Sequence, residues 1–241
     1  MTNNLDPASA YFGRDLEAMS FAKNYHRWVV ETFRPYGGKR LIEVGAGSGN
    51  FTEFLLDTLA PAELVALEPS ENMFPLLKER WAQNPVVQPF RGCLADWLPH
   101  AREKADTICY VNVIEHIEDD GGEMDLAREA LAPGGHLLIF VPALAWLFGT
   151  ADKAFGHFRR YSRKGLSELV AARGFEIRQC HYMDVAGVLP WWISFVLLRR
   201  KTLSPGMVRI YDRFVVPIMR RVEKVITPPL GKNLLLAARK V

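Results

Sequence analysis

Two short polar segments carry the side chains with which this chain could bind an acid and move a proton. Residues 112–116 place a glutamate beside a histidine directly after an apolar run, and residues 156–161 contain one histidine, two arginines and one tyrosine. Histidine is the usual general base near neutral pH, and arginine makes bidentate contacts with carboxylates and phosphates. The segments predict a site that binds a carboxylate or phosphate and deprotonates a hydroxyl, with His116, His157 and Tyr161 as candidate catalytic groups.

Both segments also have a structural interpretation, which the residues alone leave open. The ring of His116 could cap the turn that follows it, and the two arginines could anchor a surface turn through salt bridges. Aromatic side chains such as Trp146 and Trp191 either form an apolar acceptor pocket or belong to the ordinary core packing. The residues predicted to contact the acceptor are Glu115, Trp146, Arg159, Arg160 and Trp191.

A glycine-rich turn at residues 45–49 follows an apolar run that reads as a buried strand, and an apolar helix start follows the turn. Glycines let the backbone turn sharply and approach a ligand closely, and the N–H groups at a helix start favour a negative group. Glu68 ends the next predicted strand, where a carboxylate can accept both ribose hydroxyls of an adenosine cofactor. Glu43 stands two residues before the first glycine, where its carboxylate could meet a ligand ammonium group.

The order of these motifs resembles that of class I S-adenosylmethionine-dependent methyltransferases. The resemblance covers roughly residues 25–142 and rests on residues 43–49, Glu68, Asp96-Trp97 and residues 131–135. It implies S-adenosylmethionine as the cofactor and S-adenosylhomocysteine as the product. The glycines would wrap the methionine portion, Glu68 would hold the ribose and Asp96 the adenine. The residues expected at the cofactor are Tyr25, Glu43, Gly45, Ala46, Gly47, Gly49, Glu68, Pro69, Asp96, Trp97 and Asn112.

The Glu-His pair at 115–116 resembles part of the metal site of ubiquinone-type O-methyltransferases. That site also has an acidic residue three positions before the glutamate. Asn112 stands there in this chain, so we expect no metal. Residues 24–28 and 156–161 resemble an uncharacterised bacterial branch of the family, whose members look like enzymes for small molecules, saccharides or lipid-linked precursors. In that branch Tyr25 would lie over the methionine end of the cofactor.

Apolar runs alternate with amphipathic stretches along the chain, which predicts parallel strands joined by helices. We predict an α/β fold: a Rossmann-like, seven-stranded, mostly parallel sheet with helices on both faces. The predicted strands are 40–44, 64–68, 86–91, 106–113, 136–142, 176–182 and 234–239. One domain, 1–241, would consist of an N-terminal helical lid (1–36), a cofactor-binding core (37–183), a helical aromatic and basic insertion (184–232) and a last strand (233–241).

Composition restricts the class of protein. Hydrophobic residues make up 49% and charged residues 24% of the chain, which excludes intrinsic disorder. The three cysteines lack CxxC spacing, which argues against a disulfide framework or a zinc site. The first fourteen residues lack the basic-then-apolar order of a signal peptide, and the apolar run 185–198 is interrupted by Pro190. We therefore expect a cytoplasmic protein that is soluble or peripheral to the inner face of a membrane.

Charge is unevenly distributed. Residues 199–241 hold eleven Lys and Arg against Asp212 and Glu223, a net charge of +9, which leaves −6 for the rest of the chain. This basic block is either the solvated face of an amphipathic helix or a surface that attracts an anionic acceptor or lipid headgroups. A nucleic-acid partner is disfavoured, because residues 112–115 lack the Asn/Asp-Pro-Pro-aromatic element of base methyltransferases. The basic tail nevertheless leaves an RNA partner open.

The sequence thus predicts methyl transfer to a small, partly apolar acceptor, with O-methylation of a hydroxyl or carboxyl group as the first choice. One alternative is a lipid-linked or saccharide acceptor at a membrane surface, and another is a non-catalytic cofactor-binding module. A nicotinamide-dependent oxidoreductase is disfavoured by the three-glycine spacing. The sequence leaves the oligomeric state open.

Overall fold

A computed structural model describes residues 22–200, 202 and 204–241. They form one seven-stranded sheet in the order β3-β2-β1-β4-β5-β7-β6, in which only β7 runs antiparallel to its neighbours. The predicted seven-stranded, mostly parallel sheet is therefore confirmed. The strands are β1 (Arg40–Val44), β2 (Glu63–Leu67), β3 (Val87–Phe90), β4 (Ala105–Val111), β5 (Leu131–Pro142), β6 (Phe175–Met183) and β7 (Asn233–Lys240).

Helices cover both faces of this sheet. Neighbouring residues of each strand point to opposite sides, so the apolar strands present side chains to both layers of helices. Ile42 packs in the hydrophobic cluster that contains Met124 and Leu166, whereas Leu41 packs in the cluster that contains Val30 and Leu55. The α-helices are α1 (Lys23–Phe33), α2 (Asn50–Leu59), α3 (Phe74–Trp81), α4 (Leu94–Trp97), α5 (Asp120–Ala130), α6 (Thr150–Phe155), α7 (Arg163–Ala171), α8 (Val188–Trp191), α9 (Pro205–Ile210) and α10 (Val216–Val225).

The largest difference from the predicted strands is at the start of β5, which is Leu131 and not residue 136; the other strand ends differ by at most two residues. Helix α5 ends at Ala130 and β5 begins at once, because Gly134 adopts a φ of +77° and lets the strand continue through a bulge at residues 133–135. Within the helical insertion predicted over 184–232, α9, a π-helical segment (Tyr211–Val215) and α10 follow one another. The first part of the predicted N-terminal lid, residues 1–21, lies outside the described residues.

The candidate site lies at the edge of the sheet where the parallel strands end. The glycine-rich turn leaves β1 there, the segment 112–116 leaves β4, and the segment that leads to 156–161 leaves β5. The helical insertion leaves β6 at the same edge. Open α/β sheets bind their ligands at this edge. Among the residues that the structure describes, no helix is long and apolar enough to cross a membrane.

Candidate active site

The glycine-rich turn between β1 and α2 depends on conformations that side chains disfavour. Gly45, Gly47 and Gly49 all have positive φ, at +71°, +59° and +77°. A Cβ at Gly45 would lie 2.6 Å from Val113 Cγ2, and one at Gly49 would lie 2.4 Å from Trp81 Nε1. Only glycine fits both the dihedral angle and the space at these positions. The turn leads into the start of α2, where the first backbone N–H groups have no partner within the helix.

Glu43 lies buried at the carboxyl end of β1, beneath the turn. Its carboxylate accepts a hydrogen bond of 2.6 Å from the hydroxyl of Thr52. Burial, reinforced by the negative charge of Glu68, raises the pKa of Glu43 to about 8, although the Thr52 hydrogen bond opposes the rise. The side chain is thus mostly protonated at pH 7 in the absence of a positive partner.

Glu68 follows β2 and ties the glycine-rich turn to the second strand. One carboxylate oxygen accepts from the N–H of Gly47 at 2.7 Å, and the other accepts from the N–H of Ser70 at 2.9 Å and from the Ser70 hydroxyl. Pro69 lies half-buried between these partners. A carboxylate has about four acceptor positions, so Glu68 can still accept from ribose hydroxyls. That role stays a prediction.

Asp96 and Trp97 occupy the short helix α4, and the structure gives them different surroundings. Asp96 is exposed, and its carboxylate accepts from the N–H of Cys93 at 2.9 Å; the hydrogen bonds from Cys93 lower the pKa of Asp96. Trp97 is buried with its ring edge-on to Phe90, at a centroid distance of 5.1 Å. The Trp97 ring is thus part of the core. Contact of either residue with adenine remains a prediction.

Two other residues predicted for the cofactor have specific structural constraints. Asn112 has a φ of +54° and donates its N–H to the Phe140 carbonyl at 2.8 Å, so an unfavourable conformation is held where β4 ends. The Tyr25 hydroxyl lies 3.2 Å from Asp184 and 3.0 Å from Asn233, within a buried polar cluster. This contact gives Tyr25 a structural role in joining α1 to the insertion, and its place over the cofactor stays a prediction.

The two polar segments of the sequence meet in the structure. The N–H of Phe158 donates to the Glu115 carbonyl at 2.8 Å, and the N–H of Tyr161 donates to the Pro142 carbonyl at 2.9 Å. These backbone hydrogen bonds hold residues 156–161 against the turn that follows β4. As a result the rings of His116 and His157 lie 4.7 Å apart between centroids, at 84° to each other.

His157 is oriented by a buried carboxylate. Its Nδ1 lies 2.9 Å from Asp152 Oδ1, and Arg160 Nε donates to the same oxygen at 2.8 Å. Burial alone would raise the pKa of Asp152, but the His157 hydrogen bond and the Arg160 charge outweigh it, and the pKa is lowered. Because an ionised Asp152 only accepts, Nδ1 of His157 carries the proton and Nε2 keeps its lone pair.

His116 and Glu115 lie against this pair. Burial, together with the charge of His157, lowers the pKa of His116 to about 3, so His116 is neutral and a poor base. Glu115 is fully buried, and neither of its carboxylate oxygens has a hydrogen-bond partner within the described part of the chain. Burial raises the pKa of Glu115 to about 8. Of the two histidines predicted as catalytic, the geometry favours His157 as the base.

The same three side chains could hold a cation. One donor atom from each of Glu115, His116 and His157 lies within 4.8 Å of the others. Carboxylate and imidazole groups bind divalent transition metals, and a ligating histidine commonly donates its other N–H to a carboxylate, as His157 does to Asp152. The donor set thus fits a divalent cation although Asn112 lacks a carboxylate. The expected absence of a metal stays a prediction.

The surroundings of Tyr161 and Arg160 oppose their predicted roles. The Tyr161 hydroxyl donates to Asp120 at 2.8 Å, and burial, followed by that contact, raises the pKa of Tyr161, so the phenol stays protonated. Arg160 is buried, and besides Asp152 it donates to the Ala143 carbonyl at 3.0 Å, which leaves little of its guanidinium for an acceptor. Both side chains hold the site together.

The other three residues predicted for the acceptor divide between surface and interior. Arg159 is half-exposed and forms an ion pair of 2.7 Å with Asp120. Trp146 is 54% exposed, just beyond β5. Trp191 donates from its indole to the Leu147 carbonyl at 3.3 Å, and the Arg160 guanidinium lies 4.8 Å from its ring centroid. These contacts place Trp191 beside the arginine that holds Asp152.

Several polar residues of the site have roles that the sequence patterns do not assign. Thr52 holds Glu43, Ser70 holds Glu68, Asp120 holds Arg159 and Tyr161, and Asp152 holds His157. Asp152 lies five residues before His157 in a polar segment, a spacing that could have suggested the pair. Thr52 sits among apolar residues at a helix start, where a polar side chain usually has a partner.

Comparisons with known proteins agree with this architecture. Residues 17–180 match a family described as a methyltransferase domain. A ubiquinone biosynthesis O-methyltransferase of Cereibacter sphaeroides is 28% identical over 104 residues, which cover 43% of this chain and 41% of that protein. A trans-aconitate 2-methyltransferase of Acidovorax is 29% identical over 105 residues, covering 43% of this chain and 38% of that protein. The chain thus spans less than half the length of these curated relatives.

A solved structure resembles the whole fold. The S-adenosylmethionine-dependent methyltransferase of Mesorhizobium loti superposes with a TM-score of 0.62, covering 91% of this chain and all of that one at 14% sequence identity. An identity this low bears on the fold alone. The Rossmann-like fold expected from the motif order is confirmed.

Proposed function

Because this chain belongs to the methyltransferase domain family, we propose that it transfers a methyl group from S-adenosylmethionine to an oxygen of a small, partly apolar acceptor. The acceptor oxygen attacks the methyl carbon, the carbon–sulfur bond breaks, and its electron pair stays on sulfur in S-adenosylhomocysteine. Because the leaving thioether is neutral, catalysis consists of alignment and, for a hydroxyl, of removing one proton. The observation that carries this proposal is the Asp152–His157 pair at the edge of the sheet that also holds the glycine-rich turn.

In this proposal the cofactor lies over the glycine-rich turn. Backbone N–H groups at the start of α2 and the carboxylate of Glu43 would bind the methionine portion, and Glu68 would accept from the ribose. Asp96 and Trp97 would lie near the adenine. The support is the positive φ of three glycines and the carboxylates of Glu43 and Glu68 on either side of them.

His157 would act as the base for a hydroxyl acceptor. Its Nε2 takes the hydroxyl proton while Asp152 stabilises the imidazolium that forms. An acceptor carboxylate is already ionised at neutral pH and needs no base. The two acceptor classes are therefore distinguishable, because loss of the imidazole should slow hydroxyl methylation strongly and carboxylate methylation only weakly.

A cation is the second candidate for the acceptor side, supported by the donor set of Glu115, His116 and His157. A divalent ion held there would supply a positive charge that favours the deprotonated acceptor oxygen. His157 would then be a ligand, and Asp152 would fix its orientation. The two candidates differ in their response to chelators.

The acceptor's apolar part would lie against aromatic side chains near the end of β5, among them Trp146. The names of the curated relatives support a small acceptor, since one acts in ubiquinone biosynthesis and the other on trans-aconitate. A lipid-linked or saccharide acceptor at a membrane surface is the alternative within this proposal. Location in the cytoplasm or at the inner face of a membrane remains part of the proposal.

The decisive experiment measures S-adenosylhomocysteine release from S-adenosylmethionine with panels of phenols, aliphatic alcohols and carboxylic acids. With a hydroxyl acceptor, His157→Gln should lower kcat by about a hundredfold or more while the S-adenosylhomocysteine Kd stays unchanged. His136→Gln is the matched control, because His136 lies about 20 Å along β5 from Pro142. Equal turnover by both variants would remove the base from the mechanism. Absence of cofactor binding would remove the proposed activity itself.

A further inference from the structure

Exposed apolar side chains are concentrated in one part of the molecule. Twelve of the sixteen exposed large hydrophobic residues in the described part of the chain lie between Leu189 and Leu230. Val225 is 83% exposed and Ile226 is 65% exposed. Single exposed apolar residues are ordinary on a soluble protein, but a cluster within one segment marks an interaction surface.

Five of these side chains form a stripe along the helices α9 and α10. Met207, Ile210, Phe214, Ile218 and Val225 recur at intervals of three, four or seven residues, which places them on one side of the helix. Each of them is at least 55% exposed. We call these five residues the outer stripe.

A second group of exposed apolar residues lies on the other helical stretch of the insertion. Leu189 belongs to α8, and Ile193 and Leu197 belong to the π-helical turn that follows it (Trp192–Leu197). All three are exposed. The insertion thus presents apolar side chains from both of its helical stretches.

The charged residues beside the outer stripe are of one sign. Arg209, Arg213, Arg221 and Lys224 are all exposed on α9, α10 and the π-helical segment between them. Side chains of this type can extend their cationic ends toward headgroup phosphates while their stems cover apolar surface. The surface therefore combines apolar residues with positive charge.

Both carboxylates of these helices face inward. Asp212 is buried and accepts from the N–H of Tyr25 at 2.9 Å, on α1. Glu223 accepts from the N–H groups of Asp184 at 3.0 Å and Val185 at 2.9 Å, where β6 ends. The negative charges thus attach the helices to the body of the protein, and the outward side keeps only positive ones.

We propose that the outer stripe and its basic flank dock in the plane of a lipid bilayer that contains anionic headgroups. An interfacial helix buries its apolar side at the boundary of headgroups and acyl chains, and its Lys and Arg bind anionic lipids. A second copy of this chain would bring two positive surfaces together, which disfavours a symmetric dimer through this face. This docking does not depend on methyl transfer.

The test is co-sedimentation of the full chain with vesicles, without cofactor or acceptor. Binding is expected to vesicles of phosphatidylcholine and phosphatidylglycerol, and to be about tenfold or more weaker to phosphatidylcholine alone. The double variant Phe214→Ser/Ile218→Ser should weaken binding by about tenfold or more, since two exposed apolar side chains are lost. Arg213→Glu/Lys224→Glu should abolish the preference for the anionic lipid.

The control variants Leu76→Ser and Lys78→Glu change an exposed apolar and an exposed basic residue on α3, which packs near β3 at the opposite edge of the sheet. They should bind vesicles like the parent chain. Equal binding to both lipid compositions, or no binding at all, would overturn the proposal. So would sedimentation equilibrium that shows a dimer which Phe214→Ser/Ile218→Ser dissociates.

Discussion

Glu43 offers a test of the cofactor site that needs no acceptor. Its pKa of about 8 means that the carboxyl group is mostly protonated in the free protein at pH 7. The ammonium group of S-adenosylhomocysteine, placed beside Glu43, would favour the carboxylate instead. Binding should therefore release the proton that Glu43 carries.

The size of the effect follows from the pKa. A group with a pKa of about 8 is about 0.9 protonated at pH 7, so binding should release about 0.9 proton. Because a proton leaves on binding, affinity rises with pH up to the pKa of the free protein. With a bound-state pKa well below 6, S-adenosylhomocysteine should bind about fiftyfold more tightly at pH 8 than at pH 6.

Isothermal titration calorimetry in two buffers of different ionisation enthalpy measures this proton directly. The parent chain should show a buffer-dependent enthalpy, and Glu43→Gln should bind more weakly with an enthalpy independent of the buffer. Glu115→Gln is the matched control, because Glu115 has a similar pKa beyond β4 and should leave the release intact. Buffer-independent binding by the parent chain would refute the placement of Glu43 beside the ammonium group.

Two further outcomes are expected. Tyr25→Phe removes the hydroxyl that is hydrogen-bonded to Asp184 and Asn233, and it should lower the free energy of unfolding in urea by about 1–3 kcal/mol. If the variant binds S-adenosylhomocysteine with unchanged affinity, the Tyr25 hydroxyl does not contact the cofactor. Methyl transfer should survive dialysis against a chelator, because Asn112 stands where the related metal site has an acidic residue. If activity is lost and Mn²⁺ or Zn²⁺ restores it, an ion binds at Glu115, His116 and His157.

Local patterns predicted the sheet well, because the central strands β1, β2 and β4 are short apolar runs. The bounds of β1 are those expected, since a run of apolar residues stops at Gly45, and α2 begins after Gly49, where the sequence predicts a helix start. The start of β5 was missed because Gly134 reads as a stop. In the structure its positive φ produces a bulge and the strand continues.

The acceptor side was less predictable because its contacts join distant parts of the chain. Polarity alone selected His116 and His157, but their approach depends on the hydrogen bond between Phe158 and the Glu115 carbonyl. The same patterns predicted that Arg160 contacts the acceptor. In the structure Arg160 is buried and its guanidinium pairs with Asp152. A residue type indicates what chemistry it can do; burial and neighbours decide whether it is available.

Trp191 connects the proposed lipid surface with the proposed base. Its ring centroid lies 4.8 Å from the Arg160 guanidinium and 5.6 Å from the Lys232 ammonium, so two cations pack against this residue of α8. Arg160 fixes Asp152, which orients His157. The insertion that carries the outer stripe therefore packs directly on the residues that hold the imidazole. Docking through the outer stripe would thus act on the same insertion whose Trp191 packs against the arginine that fixes Asp152.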